Sequence, residues 1–283
     1  MTPLRSQMIT AMQMRGFSPR THASYLAAVT DLARYTARSP CELTVSDLET
    51  YFEYLVIERH LSGASCRLFL NGIRFLYLQV LKRPEFDVEV VIPKKPQRIP
   101  DLLTRSEVKR ILNACPNAKH RMMLAMAYGC GLRVSELVSL RLSDIDSERG
   151  LLRVTQGKGA KDRLVPLSNT LLDALRDYWR SYRPFDCLFP SRTLTRRLSI
   201  TSAQKAYRAA KARAGIDKIG GIHSLRHAYA THQLEAGLPV HRLQRLLGHQ
   251  AIHSTLRYVH WVPDYREGTG EHDLVAALAV NHG

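Results

Sequence analysis

The sequence is poor in cysteine and has no long apolar stretch. Its five cysteines are odd in number and scattered, which is typical of reduced thiols and not of a disulfide framework. No apolar run approaches the ~18 residues that a membrane helix needs, and the amino terminus leads into an amphipathic stretch and not a secretion signal. These absences argue against a disulfide-stabilised secreted domain and a membrane protein, and they predict a cytoplasmic protein.

The common motifs for nucleotide and metal binding are also missing. Gly129-x-Gly131 lacks a third glycine and a preceding strand, so it is not a dinucleotide fingerprint. Gly157-Lys158 lacks the upstream glycine spacing and the following Ser or Thr of a phosphate-binding loop. His223, His227 and His232 could suggest a zinc site by their spacing, but no His-Glu-x-x-His pattern or cysteine pair supports one. We therefore predict neither a metal nor a cofactor.

Acidic residues are scarce relative to basic ones. Lys and Arg number 41 against 25 Asp and Glu, a formal charge of +16. Residues 1–100 contain 13 basic and 9 acidic residues, or +4, which leaves 28 and 16, or +12, for residues 101–283. Such an excess favours polyanions through counterion release. We predict double-stranded DNA as the partner, although charge alone also fits a merely soluble basic protein.

A proline-rich segment, Ile92–Pro100, predicts a domain boundary because proline cannot continue a helix and restricts the residue before it. We predict a helical domain over residues 1–92, a linker over 93–100 and a larger domain over 101–283. In polyproline geometry the nine residues of the segment would reach about 28 Å at ~3.1 Å each, enough to pass along one side of a duplex. We therefore expect the two domains to enclose DNA.

The first domain is predicted to be a small helical bundle. Ser18-Pro19 supplies a cap and a proline at the first helical position, and Thr44–Asp47 opens another helix in a similar way. Tyr25, Tyr51 and Phe75 are expected to fill its core. The predicted helices cover residues 3–15, 19–35, 46–59 and 62–81.

The second domain is predicted to be mostly helical with a small antiparallel sheet, so the fold class is mainly α (α+β). Thr104–Glu107 is a capping box, and two β-rich runs at 151–155 and 163–167 flank a hairpin tip that carries Lys158. A short apolar helix is expected at 273–280, within a tail of about 271–283 that must dock somewhere to be stable. The other predicted helices cover residues 122–128, 170–180, 199–214, 229–236 and 240–247, with stop glycines at 215, 237 and 248.

Six residues of the second domain together fit phosphodiester cleavage, which needs a nucleophile, cations around the non-bridging oxygens and an acid for the departing oxygen. A tyrosine hydroxyl titrates near ~10, so it is a poor nucleophile until cations and a base favour the phenolate. Arginines suit the phosphate because the guanidinium fork matches two oxygens and stays charged. The six residues are Arg133, Lys158, His223, Arg226, His249 and Tyr258.

Local patterns suggest how three of these residues are placed. Arg133 follows Gly131 and precedes residues at helical spacing, so it is expected near a helix N-terminus, where an anion is favoured. Glu136 lies one turn on and can hold an arginine by a charge-assisted hydrogen bond. His223 and Arg226 are three residues apart at the start of a helical stretch, so both can lie on one face.

These residues stand in five motifs, Gly131–Glu136, Gln156–Arg163, His223–His227, Leu246–His249 and Ser254–His260. In order and spacing the motifs resemble the tyrosine recombinases, the integrase family that includes phage integrases and Xer-type resolvases. The resemblance extends over nearly the whole chain. It implies that the amino-terminal bundle is the family's core-binding domain and that the rest is its catalytic domain.

The resemblance also implies the chemistry. Tyr258 would attack DNA and form a 3'-phosphotyrosyl bond, which a 5'-hydroxyl of another strand would reverse without ATP or metal. Lys158 would be the general acid, Arg226 and His249 would bind phosphate, and His223 would transfer a proton or contact phosphate. Active family members commonly form a cyclic tetramer in which the tail passes to a neighbouring subunit, although docking on its own domain stays open. The sequence cannot reveal an accessory DNA-bending protein or a partner recombinase.

The functional prediction is site-specific recombination, with two alternatives left open. One is a type IB topoisomerase, which uses a similar constellation to relax DNA without sequence choice, and the other is a non-catalytic accessory protein. The region between Lys158 and His223 lacks the insertion typical of integron integrases, which favours mobile-element integrases and resolvases. Candidate DNA contacts, each also explicable as a solvated surface residue, are Arg20, Arg67, Arg74, Arg196, Arg197, Lys205, Arg208, Lys211 and Arg213.

Overall fold

A computed structural model of the chain describes residues 2–87, 99–155, 162–191, 196–262, 265–266, 274 and 278. The chain divides into two compact units, Met1–Arg98 and Ile99–Gly283, and each has its own hydrophobic core. The fold is mainly helical with one small antiparallel sheet, which confirms the predicted class. Within the described ranges, no helix combines the length and the apolar character needed to cross a membrane.

The first unit is a helical bundle whose caps follow the sequence signals. Ser18 accepts a hydrogen bond from the backbone of Thr21 at 3.1 Å, and Thr44 with Asp47 forms a full capping box. Tyr51 and Phe75 are buried in the core and Tyr25 packs against it, as predicted. The α-helices are α1 (Pro3–Met14), α2 (Pro19–Thr36), α3 (Val45–Ile57) and α4 (Gly63–Arg74), with short 3-10 turns at Pro40–Glu42 and Pro84–Phe86.

The predicted fourth helix is not α-helical throughout. It changes at Arg74 into a π-helical turn over Phe75–Val80. Phe75, Leu76 and Tyr77 are consecutive and all buried. The wider π turn separates neighbouring side chains by a smaller angle, so three successive residues can face the core.

The second unit contains eight α-helices among its described residues. Most match the predictions, and the stop glycines 215, 237 and 248 have positive φ angles of 63°, 90° and 63°. The last helix was not predicted; it is short and has no side-chain cap, so its sequence signal is weak. The helices are α5 (Arg105–Asn113), α6 (Ala118–Gly129), α7 (Val134–Leu137), α8 (Asn169–Tyr182), α9 (Ile200–Arg213), α10 (His223–Glu235), α11 (Val240–Leu247) and α12 (His253–Val259).

The sheet has the order β1-β2-β3 and is antiparallel throughout. Strands β2 (Leu151–Val154) and β3 (Arg163–Pro166) confirm the two predicted runs, with Val154 opposite Arg163. Strand β1 (Ile145–Asp146) was not predicted, because two residues are too short for a pattern; a 3-10 turn, Leu142–Asp144, precedes it. The hairpin tip with Lys158 lies outside the described residues, as do positions 93–98 of the predicted linker.

The core of the second unit is built around α6 and α10, which pack on each other. The predicted apolar run of α6, Met122–Tyr128, is buried along its whole length. Helix α10 also packs against α11 and α12, so α10 is the common packing partner of the neighbouring helices that carry motif residues. In the predicted tail the described residues are Leu274 and Leu278, and both belong to this same core.

Candidate active site

Arg133 is the N-cap residue of α7, as predicted, although α7 has only four residues. The turn before it depends on Gly131, whose φ is +58°. A Cβ there would lie 2.4 Å from Cδ1 of Tyr229, so this position has no room for a side chain. The Gly131 carbonyl accepts a hydrogen bond from Nη1 of Arg226 at 2.6 Å. One glycine therefore shapes the Arg133 turn and anchors the second arginine.

Glu136 holds Arg133, as the sequence suggests. Its carboxylate accepts hydrogen bonds from the Arg133 backbone at 2.8 Å and from Nη1 of Arg133 at 2.7 Å. Its other partner, Arg163 on β3, was not predicted: this buried guanidinium donates twice to Glu136, at 2.9 and 2.8 Å. Burial works against ionisation of Glu136, but the hydrogen bonds and charge of Arg163, helped by Arg133, lower its pKa to about 2.

Arg163 also reaches the end of α11. Its Nε donates to the carbonyl of Leu246 at 2.7 Å. The same turn supplies the carbonyls of Leu247 to Arg226 at 2.6 Å and of Gly248 to Arg133 at 3.1 Å. Three arginines from three different elements thus bind consecutive carbonyls of one helix end, which fixes their mutual positions.

Arg226, in the first turn of α10, is almost fully buried, with 1% of its surface exposed. Its burial lowers its pKa to about 10, which still leaves it protonated at neutral pH. Its Nη1 lies 3.8 Å from the Glu136 carboxylate, and its Nη2 lies 3.0 Å from Nε2 of His249. The guanidinium charge is therefore held by neutral acceptors and one acid inside the protein.

His249 follows Gly248, whose left-handed conformation ends α11. Because arginine can only donate, Nε2 of His249 must accept from Arg226, and the ring proton then lies on Nδ1. That nitrogen is 2.9 Å from the Thr255 hydroxyl on α12. Burial, followed by the charge of Arg226, lowers the His249 pKa to about 3, so the ring is neutral and links α10, α11 and α12.

Tyr258 on α12 is fully buried. Its ring lies parallel to that of His249, with 6.3 Å between centroids, and the edge of Trp261 approaches it at 5.0 Å. The hydroxyl lies 2.9 Å from Nδ1 of His227 on α10. The guanidinium carbon of Arg257 is 5.5 Å from the ring centroid. The proposed nucleophile is thus enclosed by cations and neutral imidazoles.

His223 lies at the surface, in the first position of α10. Its ring meets that of His227 edge-on at 4.6 Å. Partial desolvation of the ring and then the charge of Arg226 lower the His223 pKa below its ordinary value, so this ring is also neutral at pH 7.

Of the six predicted residues, five come together in this cluster and Lys158 lies outside the described residues. Arg226 contacts His249, and Arg133 contacts Gly248, the residue before His249. The ring of His249 in turn lies parallel to that of Tyr258. His223 joins the group through His227. Three guanidinium groups lie around the single carboxylate of Glu136, and a fourth, that of Arg257, lies over the Tyr258 ring. The cluster is therefore positive and chemically suited to hold a phosphate beside a phenol. Elsewhere in the described ranges, as here, no group of three or more His, Cys, Asp and Glu side chains could hold a metal ion.

Comparison with protein families identifies the chain. Residues 101–263 match the model of the phage integrase family, and residues 4–85 match the SAM-like N-terminal domain of phage integrases. The chain belongs to the phage integrase family. It is a tyrosine-type site-specific recombinase.

Relatives match this recombinase over most of their length. An integrase/recombinase of Sinorhizobium fredii, y4qK, is 42% identical over 92% of this chain and 84% of its own. The tyrosine recombinase XerD of Pseudomonas putida is 32% identical over 91% of this chain and 92% of its own. A structure of the Tn1549 transposon integrase in complex with a circular intermediate DNA shares the fold, with a TM-score of 0.71 at 17% identity over 97% of this chain and 98% of that one.

The candidate DNA contacts of the recombinase fall into two groups. Arg20 and Arg67 of the first unit, and Arg196, Lys205, Arg208 and Arg213 of the second, are exposed. The other three have partners within the chain. Arg74 pairs with Asp87, exposed Arg197 donates to the Ser139 hydroxyl at 2.9 Å, and Lys211 donates to the carbonyl of Lys218.

A basic groove of the second unit brings some of these residues together. Arg196, Arg197 and Lys205 line it together with Lys119 and Arg213, and serine and asparagine side chains complete its wall. Arg213 belongs to the basic cluster predicted on α9, but Lys119 was not among the predicted contacts. Its signal would have been charge at the start of α6, which only the folded chain brings beside α9.

Three residues of the site itself were missed, Arg163, His227 and Arg257, the last of which directly precedes Tyr258. Arg163 stands at the end of the Gln156–Arg163 motif, and its importance shows only when β3 packs beside α7. His227 follows Arg226 directly and lies four residues after His223, a spacing that puts both histidines on one face of a helix. That spacing resembles a zinc pattern in the sequence, and it fits equally well a pair of histidines near the nucleophile.

Proposed function

We propose that this recombinase cleaves and rejoins DNA through a covalent 3'-phosphotyrosyl bond on Tyr258. The observation that carries the proposal is the enclosure of the Tyr258 phenol by Arg226, His249 and Arg257 in a positive cluster. A phosphate drawn to the two guanidinium groups would lie next to a phenol, whose hydroxyl can attack phosphorus and can later leave as a phenolate.

The roles proposed for the individual residues are those that the family resemblance implies, and the chemistry of each side chain suits its role. Arg133 and Arg226 would donate to the non-bridging phosphate oxygens, with His249 beside them. Tyr258 would attack the phosphorus, and Lys158 would protonate the departing 5'-oxygen. His223 would contact the phosphate or transfer a proton. The phosphotyrosyl bond preserves the energy of the broken one, so neither ATP nor a metal is required.

In this proposal the structure corresponds to the resting recombinase, before DNA binds. Tyr258 has no exposed surface, and the Arg226 donors are occupied by carbonyls and His249. Attack therefore requires that DNA binding uncovers the phenol and that the phosphate replaces some of these internal acceptors. A hydroxyl that is covered without substrate is also protected from side reactions.

Double-stranded DNA is the proposed partner. The formal charge of +16 supports it, and so do the solved relatives, since the Tn1549 integrase and lambda integrase structures contain DNA. We further propose that four copies act on paired sites and that the product is the integration, excision or resolution of a mobile element or replicon.

A covalent-trapping experiment tests the function. The protein and a Tyr258→Phe variant are incubated with a pool of nicked duplexes in the presence of a chelator, then denatured. We expect DNA attached through a 3'-phosphate for the wild type and none for the variant, and sequencing the attached strands yields the site. Specific binding without any attachment would favour an accessory protein, and relaxation of plasmids regardless of sequence would favour a topoisomerase.

A further inference from the structure

The Tyr258 hydroxyl has one hydrogen-bond partner in the structure, and it is not one of the six predicted residues. Nδ1 of His227 lies 2.9 Å from it. In the described part of the chain, no other side chain forms a hydrogen bond with this hydroxyl. His223, the histidine to which the family resemblance gives proton transfer, contacts the ring of His227 and not the phenol oxygen.

The surroundings keep His227 able to accept a proton. Burial, followed by the repulsion that a protonated His223 would exert and by the charges of Arg257 and Arg226, lowers the His227 pKa to about 4, so its ring is neutral at pH 7. The groups facing it are His223 and Arg226 on α10, Tyr258 and Arg257 on α12, and Trp261 just beyond. With the ring proton on Nε2, Nδ1 presents its lone pair to the phenol.

We propose that His227 is a further catalytic residue, the base that accepts the Tyr258 proton during DNA cleavage. The proposal rests on the proposed function of Tyr258. As the phenol oxygen bonds to phosphorus, its O–H bond breaks and the proton moves to Nδ1 of His227. The bond from phosphorus to the 5'-oxygen breaks at the same time, and that oxygen takes a proton from the general acid.

Rejoining reverses each step. The 5'-hydroxyl attacks the phosphotyrosyl phosphorus and returns its proton to the former acid, while the departing phenolate recovers its proton from Nδ1 of His227. The bound phosphate favours this cycle because its negative charge offsets the nearby cations that hold the His227 ring neutral, which makes that ring a stronger base when substrate is present.

Two substitutions of His227 distinguish a role in proton transfer from a role in hydrogen bonding alone. His227→Gln keeps an acceptor near the phenol but takes up no proton at neutral pH, and His227→Ala removes both. Single-turnover adduct formation is measured from pH 6 to 9 on the trapped site, at saturating DNA. We expect both variants to be slower than wild type by about 10²- to 10⁴-fold at pH 7, the usual contribution of a general base. Their rates should rise about tenfold per pH unit as the phenol ionises unaided, while the wild-type rate stays flat.

The same helix offers a matched control. His232 on α10 makes an equivalent bond, with its Nδ1 2.9 Å from the Tyr128 hydroxyl, deep in the core and away from the cluster. His232→Gln should lower thermal stability and leave the shape of the pH profile unchanged.

The outcomes are distinct. A His227→Gln protein with the wild-type rate would overturn the base assignment, and so would a loss that is the same at every pH, because only a structural role predicts it. If wild-type protein forms no adduct that depends on Tyr258, the proposed function fails and this proposal fails with it.

Discussion

At the scale of single residues, the charges of the site are held inside the protein by carbonyls and by one acid. Carbonyl groups at the end of α11 accept hydrogen bonds from Arg226, Arg163 and Arg133. The Glu136 carboxylate forms an ion pair with each of the same three arginines. Such charges are costly to bury unless every donor is satisfied. Small changes at these positions should therefore have large effects.

Gly131→Ala is the smallest such change. The new Cβ would lie 2.4 Å from the Tyr229 ring on a backbone whose φ is +58°, so both strain and overlap oppose it. We expect a loss of about 1–3 kcal/mol in the free energy of unfolding and a strong loss of adduct formation, because Arg133 and the Arg226 anchor shift together. Urea unfolding and trapping measure the two effects. Gly221→Ala is the control, since no atom lies within 4 Å of its Cβ, and equal losses in the two variants would contradict the argument.

Glu136→Gln should change how stability depends on pH. The folded pKa of Glu136 is about 2, below its ordinary 4.5, so its ionised form stabilises the fold above pH 4.5 and this contribution is lost as the pH falls toward 2. The difference corresponds to about 3 kcal/mol at neutral pH. Urea unfolding should therefore show the variant to be less stable at pH 7, with the gap closing below pH 4. A gap that stayed constant from pH 7 to pH 3 would show that Glu136 is not the titrating group.

At the scale of elements, Arg163 joins the sheet to two helices. It connects β3 with the Glu136 carboxylate of α7 and with the Leu246 carbonyl of α11. Arg163→Lys keeps the charge but cannot donate to three acceptors in a planar fork. We expect single-turnover cleavage at saturating DNA to fall by about 10- to 100-fold while DNA affinity stays near wild type. The reason is that the arginines proposed to bind phosphate remain but are no longer held in their relative positions.

The control for Arg163 is Arg153→Lys on the neighbouring strand β2, where the side chain is exposed. It should leave both the cleavage rate and the affinity unchanged. If Arg163→Lys weakened DNA binding as much as it slowed cleavage, Arg163 would be a direct DNA contact and not a positioning residue.

The sequence predicts elements well where local signals are strong. Helix α11 has the predicted bounds, and the caps at Ser18 and Thr104 form as expected. Helix α12 was missed because its seven uncapped residues are stabilised only by packing against α10 and α11. The partnerships of Arg163 with Glu136 and of His227 with Tyr258 join residues 27 and 31 positions apart, which no local pattern encodes.

At the scale of the whole molecule, charge should govern DNA affinity. Lys205 is exposed in the basic groove, while Lys211 on the same helix, α9, donates to a carbonyl of its own chain. Lys205→Ala should lower the slope of log affinity against log salt by ~0.9, the value for one phosphate contact, and Lys211→Ala should lower it less. The slopes are measured by DNA titrations between about 50 and 200 mM salt. Equal slopes for the two variants would exclude the groove from the DNA interface.

The tail connects the stability of one chain to its assembly. Leu274 and Leu278 are each 2% exposed and lie in the core of their own unit, so these two tail residues pack in cis in this structure. Exchange of an identical segment between neighbouring subunits would fill the same position in the core at little cost. Docking in cis in a free chain and docking in trans in a tetramer are therefore compatible.

Deleting residues 271–283 should lower the melting temperature of the free protein and weaken assembly on paired sites by about tenfold or more, while single-site binding changes little. Gel-shift titrations on one and on two sites measure the two affinities, with Leu164→Ala, at an exposed leucine, as the control. Unchanged tetramer formation by the truncated protein would show that the tail serves only its own chain.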